Sequence, residues 1–519
     1  LPAGRKFVKI TFNGNLWRRG MPASRLRCAG EEKGAFRKSM MSALQKYLYN
    51  GLAALVALAL SFCPSAAMAE EGDEEQPEPA QAMLEDGDLE RRVFAKGCVL
   101  IDASDPETLL YAKTPDEPII PASTTKIMTC ILALEMVEDL NSVVAVPDEA
   151  ANLHKSNSLM GLRRGESLPM IDLLYGLMLP SGNDAAISIA CYLAGDVESF
   201  AALMNEKAAE LGMADTSFAT PSGVYRRGFT STAHDMARLT AYAMQNEMFR
   251  KIVSTVNYTV LGNDVRRQDL HLVNSNRLIS DPQTSSIYYE YAIGAKTGAT
   301  TVGGKCLVAV AEKDGVMLIA SLMGAIDESG DMGWLARRCF IDAKGLFEKA
   351  YERLYAFADA ETLGCAQIRL DVCAENPRLT DEQDGRFALT ADLSGQTAYL
   401  RKTDIEAICG GEALLTVEPS LYEAQIVAPI AEGEVLGTVQ VSLRGRVLFS
   451  APLLASRAVA AYDPADEPAP APTVMPETPA AETEAADLNP ADIWLCAVTA
   501  VVLAALGVAL YVRRRRRGA

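Results

Sequence analysis

Histidine is nearly absent from this sequence. Only His154, His234 and His271 occur in 519 residues, and no serine lies in a GxSxG pattern. A hydrolase of the Ser-His-Asp type needs a histidine that takes the proton of its serine. His234 stands directly before Asp235, and we interpret this pair as a feature of a helix surface. The scarcity of histidine therefore argues against a Ser-His-Asp enzyme.

The chain also lacks excess positive charge and closely spaced cysteines. Its formal net charge is -18, and Lys and Arg concentrate towards its two ends. Nucleic-acid binding requires clustered cations on the folded part of a protein. The 11 cysteines form no CxxC pattern, so the common zinc and thioredoxin-like spacings are missing. We expect no nucleic-acid partner, no metal site and no organic cofactor.

The first 92 residues predict an export signal. Residues 40–69 combine a lysine, an apolar run and an Ala-Met-Ala cleavage pattern, which is typical of a secretory signal peptide. Residues 1–39 are interpreted as an over-extended start, and residues 70–92 as an acidic linker. Cys63 would permit a lipoprotein signal, but Phe62 before it fits that alternative poorly.

The last residues predict a membrane anchor on a stalk. Residues 463–492 are rich in Pro, Ala, Glu and Thr and cannot form a core, so we expect an extended stalk. Residues 493–512 are an uncharged apolar run long enough to span a bilayer, and residues 513–519 carry five arginines. The sequence predicts an exported, single-pass protein with its folded part outside the cell membrane. Export would permit a disulfide from Cys365 to Cys373 or Cys409, with free thiols as the alternative.

Two folded domains are predicted between these ends. Residues 93–355 alternate β-like runs with amphipathic stretches, which predicts an α/β (α+β) domain with a mixed sheet covered by helices. Residues 356–462 change to short alternating runs separated by turn residues, which predicts a small all-β domain. Two states of assembly remain open at this point: a homodimer formed through this domain, and a monomer.

Ser123 and Lys126 form an SxxK pattern at the predicted start of a helix. Pro121 precedes them, and proline is common at helix starts. Residues i and i+3 share a helix face, so the lysine is expected beside the serine. A lysine can take the serine proton once burial and nearby cations lower its pKa. We predict Ser123 as nucleophile and Lys126 as base.

Two further short motifs follow in order along the chain. Ser181 and Asn183 occupy a predicted loop between helices, where they could pass a proton to a leaving group and hold a substrate amide. Lys296, Thr297 and Gly298 fall on a predicted strand, where they would supply positive potential, bind a terminal carboxylate and admit substrate backbone. Each motif alone is weak evidence, but their conjunction is typical of one enzyme class.

These residues resemble the low-molecular-mass penicillin-binding proteins of the serine D-alanyl-D-alanine carboxypeptidase family. The resemblance rests on PASTTKIMT, LLYGLMLPSGNDAA, MNEKAAELGMADTSFATPSG, STAHDMARL, VNSNRLI and GAKTGATTVGGKCLVAVA, and extends into APIAEGEVLGTVQVSLRGRVLFSAPLLA. It implies a transpeptidase/β-lactamase-like fold, cleavage of D-alanine from peptidoglycan stem peptides through an acyl-enzyme, and covalent inhibition by β-lactams. It implies an oxyanion hole formed by the backbone N–H groups of Ser123 and Ala299.

The sequence departs from the family pattern near the third motif. The residue after that motif is often bulky in the family, whereas here it is Ala299. The family often has a carboxylate-binding arginine on its last helix, for which Arg338 is the nearest candidate and Arg337 competes. Three alternatives remain at this point: a β-lactamase of the same fold, an endopeptidase of the same family, and a catalytically silent binding module.

Overall fold

The computed structural model describes residues 83–466, apart from 90–91, 281, 284, 327–331 and 379–380. The predicted start region, signal peptide, transmembrane helix and basic tail lie outside the described residues, as do most of the linker and the stalk. Within the described part, no single helix has both the length and the apolar composition to cross a membrane, although the bent pair Asn183–Ala194 and Val197–Glu210 meets both criteria together. The described residues up to Ala461, except Arg378, belong to one compact unit.

The strands pair in five groups. In chain order they are β1 (Gly97–Asp102), β2 (Asp105–Lys113), β3 (Val143–Ala145), β4 (Ser167–Pro169), β5 (Asn257–Val260), β6 (Leu270–Val273), β7 (Ala292–Thr300), β8 (Gly304–Lys313), β9 (Val316–Ala325), β10 (Tyr355–Asp359), β11 (Gln367–Cys373), β12 (Arg386–Asp392), β13 (Thr397–Arg401), β14 (Thr416–Leu421), β15 (Val435–Leu443) and β16 (Arg446–Ala455). The pairs β3–β4 and β5–β6 form two small separate ladders.

The α-helices cover both faces of the first sheet. In chain order they are α1 (Lys126–Met136), α2 (Asp148–Ala151), α3 (Met170–Met178), α4 (Asn183–Ala194), α5 (Val197–Glu210), α6 (Ala233–Ala243), α7 (Glu247–Ser254), α8 (Met332–Leu354) and α9 (Lys402–Gly410). The core on one face is built mainly from α1, α3, α4 and α6. The core on the other face is built mainly from α8.

The first sheet has the strand order β2-β1-β9-β8-β7. All of its pairings are antiparallel, which differs from the expected mixed sheet. The β8–β9 pairing is antiparallel because the two strands are joined by the two-residue turn Asp314-Gly315, with φ values of 50° and 75°, and such a turn reverses the chain. All six residues of β1 are buried, because helices cover both faces of the sheet. The predicted α/β architecture is confirmed.

The second half is built on a five-stranded antiparallel sheet of order β11-β12-β16-β15-β14, with β10 and β13 paired beside it. It differs from the expected all-β domain by one helix, α9. Ile405 and Ile408 of that helix pack against the core of this half, and Gly411 ends it in the left-handed conformation with φ 81°. Strand-like runs on either side concealed this short helix.

A buried ion cluster joins the two halves. The Arg401 guanidinium donates to Asp404 at 2.9 Å and to Asp105 at 2.6 Å, and Arg444 donates to Asp404. Asp105 belongs to the first sheet, whereas the other three residues belong to the second half. Burying a charge is costly unless it is paired, so this cluster is stable only when both halves are folded.

Candidate active site

Ser123 lies in a single turn of 3-10 helix, Ala122–Thr125, which leads directly into α1. The preceding Ala122 has a left-handed backbone with φ 51°, an uncommon conformation for a residue with a side chain. It turns the chain so that Ser123 is partly exposed while its neighbours are buried. Ser123 therefore stands at the positive end of a helix, next to the cavity described below.

The turn that carries Ser123 packs directly on Gly223. A Cβ atom built on Gly223 would lie 1.9 Å from the carbonyl oxygen of Ala122, and the glycine has φ +83°. The segment around it is fixed to α1, because Thr129 Oγ1 donates to the Pro221 carbonyl at 2.7 Å. The sequence does not reveal this contact, since Gly223 is about a hundred residues away from the serine.

Gly223→Ala is expected to slow penicillin acylation about 100-fold, because a 1 Å displacement of a reacting group has effects of this size. It should also cost on the order of 1–3 kcal/mol of stability through its positive φ. Gly228→Ala is the matched control, since Gly228 has φ +84° but nothing within 4 Å of an added Cβ. Stopped-flow acylation and urea unfolding measure the two effects. Equal acylation rates in the two variants would contradict this role of Gly223.

The ammonium group of Lys126 is completely buried and has three acceptors. It donates to Ser123 Oγ at 3.0 Å, to Asn183 Oδ1 at 2.7 Å and to the Ser222 carbonyl at 2.6 Å. Burial lowers its pKa well below the ordinary 10.5, and the charge of Lys296 lowers it further, whereas Asp184 opposes both effects. A neutral amine has only two N–H groups, so its lone pair can then accept the Ser123 proton.

The second motif begins helix α4. Ser181 has a left-handed backbone with φ 65°, and its buried hydroxyl has no hydrogen-bond partner among the described residues. Asn183 is the first residue of α4, and its amide donates to Asn157 Oδ1 at 3.0 Å while its oxygen accepts from Lys126. The second motif thus combines the Asn183 amide, which two hydrogen bonds hold in place, with the Ser181 hydroxyl, which has no hydrogen-bond partner among the described residues.

Asp184 fixes the loop opposite the second motif. Its buried carboxylate accepts the backbone N–H groups of Met160 and Gly161, each at 2.8 Å, and that of Leu162 at 3.0 Å. Burying a carboxylate is costly unless hydrogen bonds compensate for its lost hydration, and these N–H groups provide them. Asp184 therefore places the loop that carries Ser158, another residue of the cavity wall.

The third motif lies on β7, the edge strand of the sheet. Lys296 is buried, and burial lowers its pKa to about 7. A Cβ on Gly298 would lie 3.2 Å from the Ser123 nitrogen, so glycine permits β7 to approach the nucleophile. Thr297 Oγ1 shares a hydrogen bond of 2.6 Å with Ser275 Oγ. The edge strand and the nucleophile therefore form one continuous wall.

A cavity of about 290 Å³ lies between these motifs. Its wall includes five of the predicted residues, namely Ser123, Ser181, Thr297, Gly298 and Ala299. The buried side chains of Lys126, Asn183 and Lys296 stand behind that wall.

Sequence reasoning missed several other residues of this site. The wall also contains Ser158, Ser275, Arg277, Lys305, Cys306, Leu307, Ala336, Cys339 and Phe340. Ser275 and Arg277 fall within the family-like string VNSNRLI, which was a usable signal. The Ser222 carbonyl could not be predicted, because a backbone acceptor leaves no trace in residue type.

Arg338 is not brought to this cavity. Its guanidinium donates to Asp342 Oδ1 at 2.7 Å and to the Arg92 carbonyl at 2.5 Å. Its competitor Arg337 donates to Ser286 at 3.3 Å. Neither arginine is among the described residues of the wall, whereas Arg277 is.

The active-site residues described above include neither a candidate metal-binding group nor a disulfide. Within the described ranges, no group of three or more His, Cys, Asp or Glu side chains could hold a metal ion. None of the eight cysteines in the described part of the chain forms a disulfide. Cys365 and Cys373 are free thiols, so neither of the two disulfides considered for Cys365 forms.

Comparisons with known proteins identify the family of this chain. The sequence model of peptidase family S11, D-alanyl-D-alanine carboxypeptidase, matches residues 84–327. The D-alanyl-D-alanine carboxypeptidase DacF of Bacillus subtilis is 30% identical over 370 residues, which are 70% of this chain and 85% of that protein. DacC of Escherichia coli, which has the same enzyme name, is 29% identical over 78% of this chain and 91% of its own length.

Among solved structures, penicillin binding protein 5 from Haemophilus influenzae is 24% identical, with a TM-score of 0.45, and the match covers 71% of this chain and 98% of that one. The family assignment rests on the sequence matches, which span the three motifs and most of the length of the relatives. The chain belongs to the D-alanyl-D-alanine carboxypeptidase family of serine peptidases.

Proposed function

We propose that this protein removes the terminal D-alanine from peptidoglycan pentapeptide stems through an acyl-enzyme on Ser123. The observation that carries the proposal is the 3.0 Å contact between Lys126 Nζ and Ser123 Oγ, made by a lysine whose pKa burial holds well below 10.5. A lysine with a lowered pKa gives up its proton more readily than an ordinary lysine and can act as the base.

The first half of the reaction forms the acyl-enzyme. Lys126 takes the Ser123 proton as Oγ attacks the carbonyl carbon of the penultimate D-alanine. The resulting oxyanion accepts hydrogen bonds from the backbone N–H groups of Ser123 and Ala299. The C–N bond then breaks, and the terminal D-alanine leaves as a neutral amine after receiving a proton from Lys126 through the Ser181 hydroxyl.

The second half regenerates the enzyme. Water attacks the ester carbonyl, Lys126 accepts a proton from that water, and the Ser123 oxygen leaves and takes the proton back. The products are D-alanine and the shortened stem peptide, so the sequence of events is ping-pong. A β-lactam acylates the same serine, and its leaving nitrogen stays attached to the acyl group, which explains slow release.

The location of the protein is a further part of the proposal. Its substrate lies outside the cytoplasm, and residues 40–69 have the composition of an export signal. The apolar run 493–512 with its following arginines supports a single-pass anchor whose catalytic half is extracytoplasmic. A homodimer through the second half would be a separate property, which analytical ultracentrifugation of the detergent-solubilised chain would test.

The proposed activity is tested by intact-protein mass spectrometry of one sample treated with penicillin, and by D-alanine release from a second, untreated sample given a stem peptide ending in D-Ala-D-Ala. We expect a stable adduct on Ser123 and stoichiometric release of D-alanine. An adduct without D-alanine release would favour an endopeptidase or a silent binding module. Rapid hydrolysis of penicillin would favour a β-lactamase.

The pH profile of kcat/KM is expected to be bell-shaped. Lys126 must be neutral to accept a proton, so the rate should rise as pH passes its lowered pKa. Lys296 must be charged to attract the substrate carboxylate, so the rate should fall as pH rises through about 7. Lys296→Arg should abolish the falling limb, because arginine stays protonated. A parent rate that still climbs from pH 7 to 10 would refute this assignment.

A further inference from the structure

The two faces of strand β7 serve different parts of the site. Lys296 and Gly298 alternate with Thr297 and Ala299, and alternate residues of a strand point to opposite faces. Across the ladder, Thr297 pairs with Leu307 and Ala299 pairs with Lys305, so these four side chains share one face. Leu307 belongs to the core that α8 covers. The cavity therefore extends from the nucleophile over the edge strand towards α8.

Small side chains leave space on that face. Ala299 stands where the family often has a bulky residue, and Ala336 on α8 is also small. The apolar wall is completed by Leu307, Cys339 and Phe340, which are all nearly fully buried. An apolar wall of this kind binds a side chain of the substrate, because burial removes apolar surface from water.

Two cations stand at the same part of the wall. Arg277 and Lys305 both line the cavity, and none of the ion pairs in the part of the chain that the structure describes involves either side chain. Arg277 follows Ser275, which is bonded to Thr297 of the third motif. An unpaired arginine and lysine next to that threonine fit a carboxylate.

We propose that this space is a binding pocket for the terminal residue of the substrate and that it accepts D-residues with apolar side chains larger than methyl. Arg277 and Lys305 hold the terminal carboxylate. Ala336, Cys339 and Phe340 contact the side chain. The inference rests on the proposed function, since the residue bound here is the leaving group of that hydrolysis, and it adds the substrate class that the site admits.

Two acyl peptides that differ only at the last residue test the pocket, one ending in D-Ala-D-Ala and the other in D-Ala-D-Leu. The full-length protein is incubated with each, and the released amino acid is measured by chromatography. We expect kcat/KM for the D-leucine peptide to lie within about tenfold of that for the D-alanine peptide, whereas a closed pocket discriminates by about 100-fold or more. Hydrolysis of the D-alanine peptide alone would overturn the pocket and leave the proposed function standing. Hydrolysis of neither would overturn the proposed function itself.

The Ala336→Phe variant tests whether the pocket for the terminal side chain lies at Ala336. The added ring should lower the ratio of the D-leucine rate to the D-alanine rate at least about tenfold, because it fills the space that the larger side chain needs. Ala336→Ser should keep the parent ratio. Glu352→Phe is the matched control, since Glu352 is exposed on the same helix and makes only a surface ion pair with Lys349. An unchanged ratio in Ala336→Phe would overturn the placement.

Substitutions of Arg277 and Lys305 test the carboxylate-binding part of the pocket separately, through KM. Arg277→Gln and Lys305→Gln should each raise KM about tenfold for both peptides and change kcat little, because the lost interaction holds the substrate in ground and transition states alike. The ratio between the two peptides should not change. A fall in kcat at constant KM would contradict the role of these cations in carboxylate binding.

Discussion

Ser123→Ala is expected to reduce D-alanine release by at least about 10⁴-fold and to abolish the penicillin adduct. The reason is that Ser123 is the cavity-wall serine whose hydroxyl lies 3.0 Å from Lys126 Nζ, the proposed base, so the acyl-enzyme forms on its oxygen. The overall fold should survive, because Ser123 is partly exposed and its oxygen is only one of three acceptors around Lys126. D-Alanine release and mass spectrometry after incubation with penicillin provide the two measurements.

Ser104→Ala is a useful control for that experiment. Ser104 is a partly exposed serine in the turn between β1 and β2; its hydroxyl donates to Asp102, and it lies outside the wall of the active-site cavity. Its replacement should leave both D-alanine release and acylation at parent levels. A Ser123→Ala protein that still forms a penicillin adduct would show that another nucleophile carries the reaction.

Lys126→Met is expected to reduce acylation by about 10³-fold, within the range that a general base contributes. Lys126→Arg should be equally slow, because arginine supplies positive charge but cannot give up its proton near neutral pH. This pair of variants separates the base function from the charge. Rates should be measured with penicillin in single-turnover experiments, where product release has no influence.

Lys126→Met is also expected to lower stability, because Asn183 Oδ1 and the Ser222 carbonyl lose their donor in the core. Circular dichroism should therefore verify that both variants are folded before their rates are compared. A Lys126→Arg protein with more than about a tenth of the parent acylation rate would mean that another group is the base.

Much of what could be predicted rests on patterns among residues that are close together in the sequence. The spacing of Ser123 and Lys126 places two side chains on one helix face, and the 3.0 Å contact follows from that spacing. The turn at Asp314 and Gly315 has residue types that tolerate positive φ, so the β8–β9 hairpin is visible in the sequence. In both cases the interacting residues are neighbours in the chain.

Most of what could not be predicted depends on contacts between residues that are far apart in the sequence. Gly223 is an ordinary turn residue until the fold brings it against Ala122. Arg338 has the residue type of a carboxylate ligand, but its guanidinium is already engaged by Asp342. The direction of strand pairing also depends on which strands meet, so the fully antiparallel first sheet was not evident from alternating runs.

Lys126, the proposed general base, is positioned by segments that are far apart in the chain. Lys126 bonds to Asn183, 57 residues away, and to the Ser222 carbonyl, 96 residues away. A chain that has only partly folded contains the nucleophile but not the groups that position its base. Penicillin therefore labels only molecules in which all three segments have met, and the amount of bound label counts the correctly folded molecules in a preparation.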